Sequence, residues 1–265
     1  MMCGVRHEES HDPEEFQEYR ILDLFERYPK TLRGLKIRMC KSTLGDYGIA
    51  PLQRAVAIAN KVEQAGHKCL VAVHYHDLPD NVRLEELLET LRPGDILAHL
   101  YQTFGQTIFT PDGKVLPAVR RARERGVIFD SANGRPHWSF SHLQRAFADG
   151  FYPDIISSDV LRFSEYGPHG CSLLHAMCVL SAAGMDEGAI CRAVTQTPAH
   201  VLGVAERAGT LTPGTPADVC ILDAMDSDLV FTDQHGGSRQ ADKMFVPLLT
   251  MREGKIAYRQ IFYNL

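Results

Sequence analysis

Four side chains whose types suit metal chemistry accompany short apolar runs in this sequence: Lys36, His74, His99 and Asp159. Imidazole nitrogens and carboxylate oxygens are common ligands of Zn²⁺, and a metal ion held by them activates water for hydrolysis. The runs themselves are rich in β-branched and aliphatic residues, which is typical of buried strands. The four side chains can share a site only if the fold brings these runs together.

The apolar runs recur along the chain with helix-like segments between them. They cover residues 35–39, 69–76, 95–100, 126–130 and 154–159. Their spacing suits successive βα units, in which parallel strands are joined through helices. The carboxyl ends of such strands lie at one edge of the sheet, so side chains there converge although they are far apart in sequence. The sequence therefore predicts five parallel strands with a site at their carboxyl ends.

Amphipathic segments between these runs predict the helices. The first has Asp12 at the N-cap and Pro13 at the first helical position, and it is predicted to extend to about Tyr28. Further helices are predicted over residues 51–66, 82–92, 114–126, 139–149, 170–183 and 186–202. The alternation of strands and helices predicts an α/β fold.

The pattern changes near the end of the chain, where short strands replace the strand–helix alternation. These strands are predicted over residues 217–223, 228–232, 245–251 and 255–259, with turn signals between them. Because no flexible linker separates the two parts, we expect a barrel-like domain over 12–205 and a small β lobe over 206–265 packed on it.

Composition and charge narrow the class of protein. The 265 residues are 45% hydrophobic, and the formal net charge is -5 without long basic runs. Such a charge does not suggest nucleic acid or an anionic membrane as partner, so we expect a small-molecule substrate. The sequence shows no signal peptide and no run of about 20 apolar residues, which predicts a cytoplasmic protein. The seven cysteines include no CxxC pair, so we expect them to be reduced.

The number of strands does not suffice for a closed barrel. A TIM-type (β/α)₈ barrel needs eight strands and usually about 250 residues, whereas this chain supplies five βα units before the β lobe. The sequence therefore predicts a partial barrel with strands four to eight. An open remnant of this kind would leave a strand edge and an apolar face to be covered by something else.

An ordered series of motifs resembles the amidohydrolase superfamily, in its deacetylase-like, dihydroorotase-related branch. The tail resembles that family's usual passage from barrel to β lobe, in the pattern G-x-L-x-P-G-x-x-A-D. The matching strings are GLKIR at 34–38, VAVHYHDLP at 71–79, RPGDILAHLYQ at 92–102, GVIFDSANG at 126–134, DIISSDV at 154–160 and TQTPAHVLGVAERAGTLTPGTPADVCILD at 195–223. The resemblance spans residues 34–259.

The resemblance implies a metal-dependent hydrolase on a distorted TIM barrel, usually with zinc. Lys36 matches a lysine that carbon dioxide carboxylates and that then bridges two metal ions. His74 and His99 match metal-binding histidines at the ends of strands five and six. Asp159 matches the aspartate that ends strand eight, which binds metal and is catalytic: it takes a proton from the activated water and returns it to the leaving group.

The sequence also departs from the family pattern. The H-x-H pair that ends strand one in relatives is missing with the N-terminal third, which leaves ligands for one zinc ion rather than two. His76 imitates that spelling after His74, but its context matches strand five, where only the first histidine binds metal. Asn133 and Leu161 stand where relatives often have histidines. Asn133 is the candidate for substrate binding.

Several functions remain open from the sequence. The first is hydrolysis of an amide or ester bond in a small acylated or cyclic molecule, impaired in a chain that lacks the N-terminal third. The second is a non-catalytic remnant that acts as a binding or association module. A third is a one-metal hydrolase that completes its barrel as a homo-oligomer. Without the resemblance, Lys36 could lie along a surface, the histidines could be structural, and Asp159 could cap a helix.

Overall fold

The computed structural model describes residues 11–134, 137–160 and 172–262. The chain divides into two compact units, Met1–Asp130 and Ser131–Leu265. The predicted domain bounds, 12–205 and 206–265, stay a prediction. Within the described residues, none of the helices combines the length and the apolar character needed to span a membrane.

A four-stranded parallel sheet forms the centre of the first unit. Its strands are β1 (Gly34–Met39), β2 (Leu70–Tyr75), β3 (Ile96–Ala98) and β4 (Ile128–Phe129). Their order in the sheet follows the chain, and each strand pairs in parallel with the next. The first four predicted strands are therefore confirmed, although β3 and β4 are shorter than the apolar runs that predicted them.

Helices connect the strands of the first unit. They are α1 (Glu18–Arg27), α2 (Lys41–Leu44), α3 (Ala50–Gln64), α4 (Leu84–Thr90) and α5 (Pro117–Glu124), with 3-10 turns at Pro13–Glu15 and Gly45–Tyr47. The single helix predicted from Asp12 to Tyr28 is wrong in its first turns. Asp12 Oδ1 does accept a hydrogen bond from Glu14 N at 2.9 Å, but it caps only a 3-10 turn. The backbone at Phe16 is extended, with ψ 99, and this interrupts the helix before α1.

The two faces of the parallel sheet are buried to different extents. On the covered face all the side chains except half-buried Leu35 are buried, namely Ile37, Met39, Val71, Val73, Tyr75, Leu97 and Phe129. Helix α3 packs on β1 and β2, and each fully buried aliphatic side chain contributes about 1.5–3 kcal/mol. The opposite face, which we call the histidine face, carries exposed Lys36, half-buried Arg38, Ala72 and Ala98, and buried His74.

A buried carboxylate fixes the amino ends of β2 and β3. Asp95 is 0% exposed and accepts hydrogen bonds from Val71 N at 2.7 Å and from Arg92 N at 2.9 Å. The Arg92 guanidinium donates to the same carboxylate at 2.8 Å and to Cys69 O at 2.8 Å. Burial alone would lower the pKa of Arg92, but its hydrogen bonds and charge interactions with Asp95, together with Glu63, raise the pKa overall.

The second unit contains helices followed by antiparallel strands. The helices are α6 (Phe140–Ala148), α7 (Leu173–Ala182), α8 (Glu187–Val194) and α9 (Gln196–Val201). The strands are β5 (Val219–Asp226), β6 (Val230–Thr232), β7 (Ser238–Gln240), β8 (Lys243–Arg252) and β9 (Lys255–Arg259). β5, β8 and β9 form one antiparallel sheet in that order, and β6 pairs with β7 in a hairpin.

The second unit differs in three places from what the sequence predicts. Among the described residues, the segment 154–159 is not a regular strand. Its backbone accepts from Ser131 N and Asn133 N, at 3.1 and 3.0 Å, but Ala132 on that facing segment has φ 38 and leaves the extended conformation, which interrupts the pairing. The helix predicted over 186–202 is two helices, because Thr195, with φ -127 and ψ -80, leaves the helical conformation. Strand β7 was not predicted. Its polar sequence, SRQ, lacks the apolar pattern of a strand.

Candidate metal and substrate site

Two buried histidines meet at the carboxyl ends of β2 and β3. His74 lies in β2 and is 7% exposed, and His99 follows β3 directly and is 2% exposed. His99 Nε2 lies 2.8 Å from His74 Nδ1, which is a hydrogen bond whose donor depends on the tautomers. The structure thus brings together two of the predicted metal ligands.

The backbone of His99 explains how the two rings meet. His74 pairs with Ala98 in the parallel register, so simple alternation would direct residue 99 to the covered face. His99 instead has φ 65, a left-handed conformation that costs a residue with a side chain about 1–3 kcal/mol. This turn ends β3 and allows the imidazole to reach His74. Strain of this kind is concentrated at functional sites.

The distance between the two imidazole nitrogens is close to what a metal ion requires. Two nitrogen ligands of a tetrahedral Zn²⁺ ion lie roughly 3.3 Å apart, given Zn–N distances of about 2.0–2.1 Å. The His74–His99 pair, at 2.8 Å, would separate by about half an ångström to bind the same ion. Their chemistry and positions therefore fit a zinc site.

Lys36 lies on the same face of the sheet as His74, one strand away. It pairs with Ala72, while Arg38 pairs with His74 in the parallel register between β1 and β2. Lys36 is exposed. An ammonium group has no electron pair for a metal, so the residue can act as a ligand only after a modification such as carboxylation.

Asp159 belongs to the second unit, where a histidine approaches it. His137 Nδ1 lies 3.8 Å from Asp159 Oδ2, which is within the range of an ion pair when the imidazole is protonated. Asp159 has φ 45. A Cβ atom at residue 134 would collide with the Asp159 carboxylate, so Gly134 is required at this close approach. The segment 131–134 and Asp159 are thus fitted to each other.

The side chain of Asn133 lies buried in the same segment without hydrogen-bond partners in the described part of the chain. The residue is 4% exposed, and neither its Oδ1 nor its Nδ2 is bonded. The hydroxyl of Ser131 is also buried without a hydrogen-bond partner among the described residues. A buried polar group without a partner lowers the stability of the fold by about 1–3 kcal/mol, and native proteins contain few of them. An amide that can both donate and accept is consistent with the predicted role of Asn133 in substrate binding, which stays a prediction.

The ring of His76 packs against an aromatic side chain. Its ring centroid lies 4.6 Å from that of Phe104 and 6.1 Å from that of His74. This packing suits the expectation that only the first histidine of His74-Tyr75-His76 binds metal.

Two residues that contact the predicted ones are not among the candidates from the sequence: His137, which approaches Asp159, and Phe104, which packs against His76. A histidine shortly after the 126–130 strand was the available signal for His137, whereas nothing in the loop sequence pointed to Phe104. Leu161 lies outside the described residues. The assignment of Lys36, His74, His99 and Asp159 as metal ligands stays a prediction.

Comparisons with known proteins find relatives and solved structures that match most of this chain. A deacetylase of Enterococcus faecalis is 28% identical over 254 residues, which make up 95% of this chain and 67% of the relative. The crystal structure of an adenine deaminase matches with 28% identity and a TM-score of 0.85, covering 94% of this chain and 66% of its own. That of a dihydroorotase matches with 25% identity and a TM-score of 0.84, covering 96% and 64%. No protein-family model matches the chain.

These matches bear on the fold and on the extent of the chain. The structural likeness extends over nearly the whole chain and confirms the predicted α/β class, part of a TIM-type barrel followed by a β lobe. The chain spans about two thirds of the length of these three proteins.

Proposed function

Because the chain belongs to the amidohydrolase superfamily, we propose that it carries the metal-binding strands of a deacetylase-like, metal-dependent hydrolase. The proposed reaction is hydrolysis of an amide or ester bond in a small acylated or cyclic molecule. The observation that carries the proposal is the buried pair of His74 and His99, joined at 2.8 Å. The name of the Enterococcus faecalis relative supports the deacetylase-like class.

His74 and His99 would hold one zinc ion, with Lys36 as a third ligand once it is carboxylated by carbon dioxide. A bound zinc ion lowers the pKa of water and polarises a carbonyl group. The two imidazoles that would hold the ion are buried, at 7% and 2% exposure. Exposed Lys36 is open to reaction with dissolved carbon dioxide, and the resulting carboxylate would supply the anionic oxygen that zinc accepts beside imidazoles.

Asp159 would move the proton in the reaction, in addition to its predicted role as a ligand. Its carboxylate takes a proton from the attacking water and returns it to the leaving group. His137 Nδ1 lies 3.8 Å from Oδ2 of this carboxylate. Asn133 would donate a hydrogen bond to the substrate and accept one from it.

The first test is zinc binding. Metal-free protein is incubated with zinc, with and without bicarbonate, and bound metal is measured by mass spectrometry under native conditions. We expect about one zinc ion per chain, bound more tightly with bicarbonate, because carboxylation adds a third ligand. His74→Ala should lower the affinity at least 10-fold. His200→Ala is the matched control, because His200 is exposed on α9 and should leave the affinity unchanged.

The outcome decides between separate parts of the proposal. Absence of bound zinc would overturn the assignment of the histidine pair. Zinc binding that is indifferent to bicarbonate and to Lys36→Ala would overturn the role of Lys36 alone. Hydrolysis is followed with p-nitrophenyl acetate as probe, and a rate that depends on zinc and on His74 would support the enzymatic function.

An association module without catalysis is the second candidate. It is favoured by the histidine face, where Lys36 is exposed and Arg38 and Ala72 are half-buried. Sheet faces and edges that are not covered bind other chains. Sedimentation should then show self-association that Lys36→Glu weakens and that zinc does not change. A monomer at all concentrations would exclude self-association on this face.

A further inference from the structure

An aromatic ring is presented to solvent beside the histidine pair. Phe104 lies in the loop that follows β3 and is 37% exposed. Its ring centroid is 4.6 Å from that of His76, with an interplanar angle of 58°. A single exposed apolar residue needs no explanation by itself. Phe104 differs from such a residue because it lies near the candidate metal ligands and because hydrogen bonds hold its loop in place.

The loop that carries Phe104 is fixed by polar contacts rather than by burial of that ring. Phe104 N donates to Gln102 Oε1 at 2.6 Å, and Gln102 Nε2 donates to Gln106 O at 2.8 Å. Gln106 in turn donates to Val82 O at 2.7 Å and accepts from Leu84 N at 2.9 Å. The side chains of Gln102 and Gln106 therefore order the loop, so its stability does not depend on burial of the Phe104 ring.

A close backbone contact adds to this order. Gly105, with φ 59, lies so near Asp77 that a Cβ atom would come within 2.9 Å of Asp77 Oδ1. The Tyr75 hydroxyl also donates to Gln106 O. The loops that follow β2 and β3 are thus joined at their bases. An ordered loop that already holds a ring in place loses little entropy when a ligand binds.

The aromatic pair flanks the candidate metal ligands. His76 follows His74 by two residues, and their ring centroids are 6.1 Å apart. His74 is bonded to His99 at 2.8 Å. A molecule whose reacting bond lies at the histidine pair would therefore have its neighbouring atoms within reach of Phe104 and His76.

We propose that Phe104 and His76 form a binding surface for a flat apolar ring, so that Phe104 makes the site selective for substrates with an aromatic group. This inference rests on the proposed function, because it names the substrate class of the same site. Aromatic rings prefer offset or edge-to-face contacts with each other, which stabilise a complex beyond the burial of area. Phe104 acts on specificity and takes no part in the chemical step.

The test compares two ligands that differ only in the ring. Benzamide carries a flat aromatic ring, and cyclohexanecarboxamide carries a puckered aliphatic ring on the same carboxamide. Dissociation constants are measured with the full chain, without metal, by NMR titration. We expect benzamide to bind about 3- to 10-fold more tightly, the range that follows from the preference of aromatic pairs. The His76 ring protons should shift with benzamide.

Two variants test whether Phe104 causes the preference for benzamide. Phe104→Leu keeps an apolar side chain and removes the aromatic ring, so the preference for benzamide should fall to less than about twofold. Tyr19→Leu is the control, because Tyr19 is an exposed aromatic residue on α1 at 67% exposure. This substitution should leave both dissociation constants unchanged.

Equal binding of the two ligands by the unaltered protein would overturn the proposal, and that comparison needs no variant to fold. Absence of benzamide binding up to its solubility limit would overturn it as well, as would a preference that survives Phe104→Leu. The proposed function fails independently, when zinc is not bound or hydrolysis is not observed while the preference for benzamide persists.

Discussion

The parallel sheet of the first unit and the β5–β8–β9 sheet of the second unit bury their residues very differently. In β2 every residue except Ala72 is buried, whereas every residue of β9 is exposed. Ile256 and Tyr258 on β9 are 51% and 42% exposed. The strands of both sheets are paired along their length, although the β5–β8 and β8–β9 pairs each contain a register shift. Paired strands are thus combined with very different side-chain packing in the two units.

The difference follows from what covers each sheet. Helix α3 packs on β1 and β2, so the covered face of the parallel sheet is removed from water. In the second unit, α7 packs on β8, and Leu249 of β8 is 2% exposed, but β9 lies at the edge of its sheet. On the histidine face of the parallel sheet, buried and exposed side chains occur together, since His74 is buried and Lys36 is exposed. Changes in the parallel sheet should therefore destabilise the protein most.

The largest effect is expected from Asp95→Ala. The substitution leaves the Arg92 guanidinium without its main partner and removes the acceptor of Val71 N. Loss of one member of a buried ion pair costs about 3–5 kcal/mol. The free energy of unfolding is measured by urea denaturation. Asp223→Ala, at an exposed position of β5, serves as control and should change it by less than about 0.5 kcal/mol.

A direct comparison of the two sheets comes next. Leu97→Ala on the covered face, where Leu97 is 0% exposed, should lower the free energy of unfolding by about 3 kcal/mol, because it opens a cavity in the core. Ile256→Ala on β9 should lower it by less than about 1 kcal/mol, since little area is buried there. Equal losses in urea denaturation would refute the difference in packing between the sheets.

The smallest effect concerns the thiol of Cys69, at the start of β2. Burial raises the pKa of Cys69 to about 12. Since the folded pKa lies above the unfolded value, its contribution to stability is complete below pH 9 and is lost as the pH rises towards 12. At pH 8, iodoacetamide should modify exposed Cys191 and Cys220 and spare Cys69. Mass spectrometry of peptides checks this, and modification of all three at similar rates would contradict it.

Much of the fold of the first unit could be predicted because its signals are local. The runs at 35–39 and 69–76 match β1 and β2 within one residue at each end, since buried parallel strands are continuous apolar stretches. Breaks within elements and irregular segments are harder to predict. The break at Thr195 and the irregular segment 154–159 depend on single backbone conformations, and no apolar pattern in the sequence predicts such conformations.

The candidate site also has one part that the sequence predicts and another that it does not. The position of His74 and His99 at the ends of neighbouring strands follows from the sequence, because the order of apolar runs sets the order of strands. The folded chain was needed to show that the left-handed backbone of His99 brings its ring to His74, and that Phe104 packs against His76. Contacts of this kind depend on loop conformations and on distances across strands. Those are fixed by packing and by hydrogen bonds such as the ones that Gln102 and Gln106 make, and a linear pattern does not encode them one residue at a time.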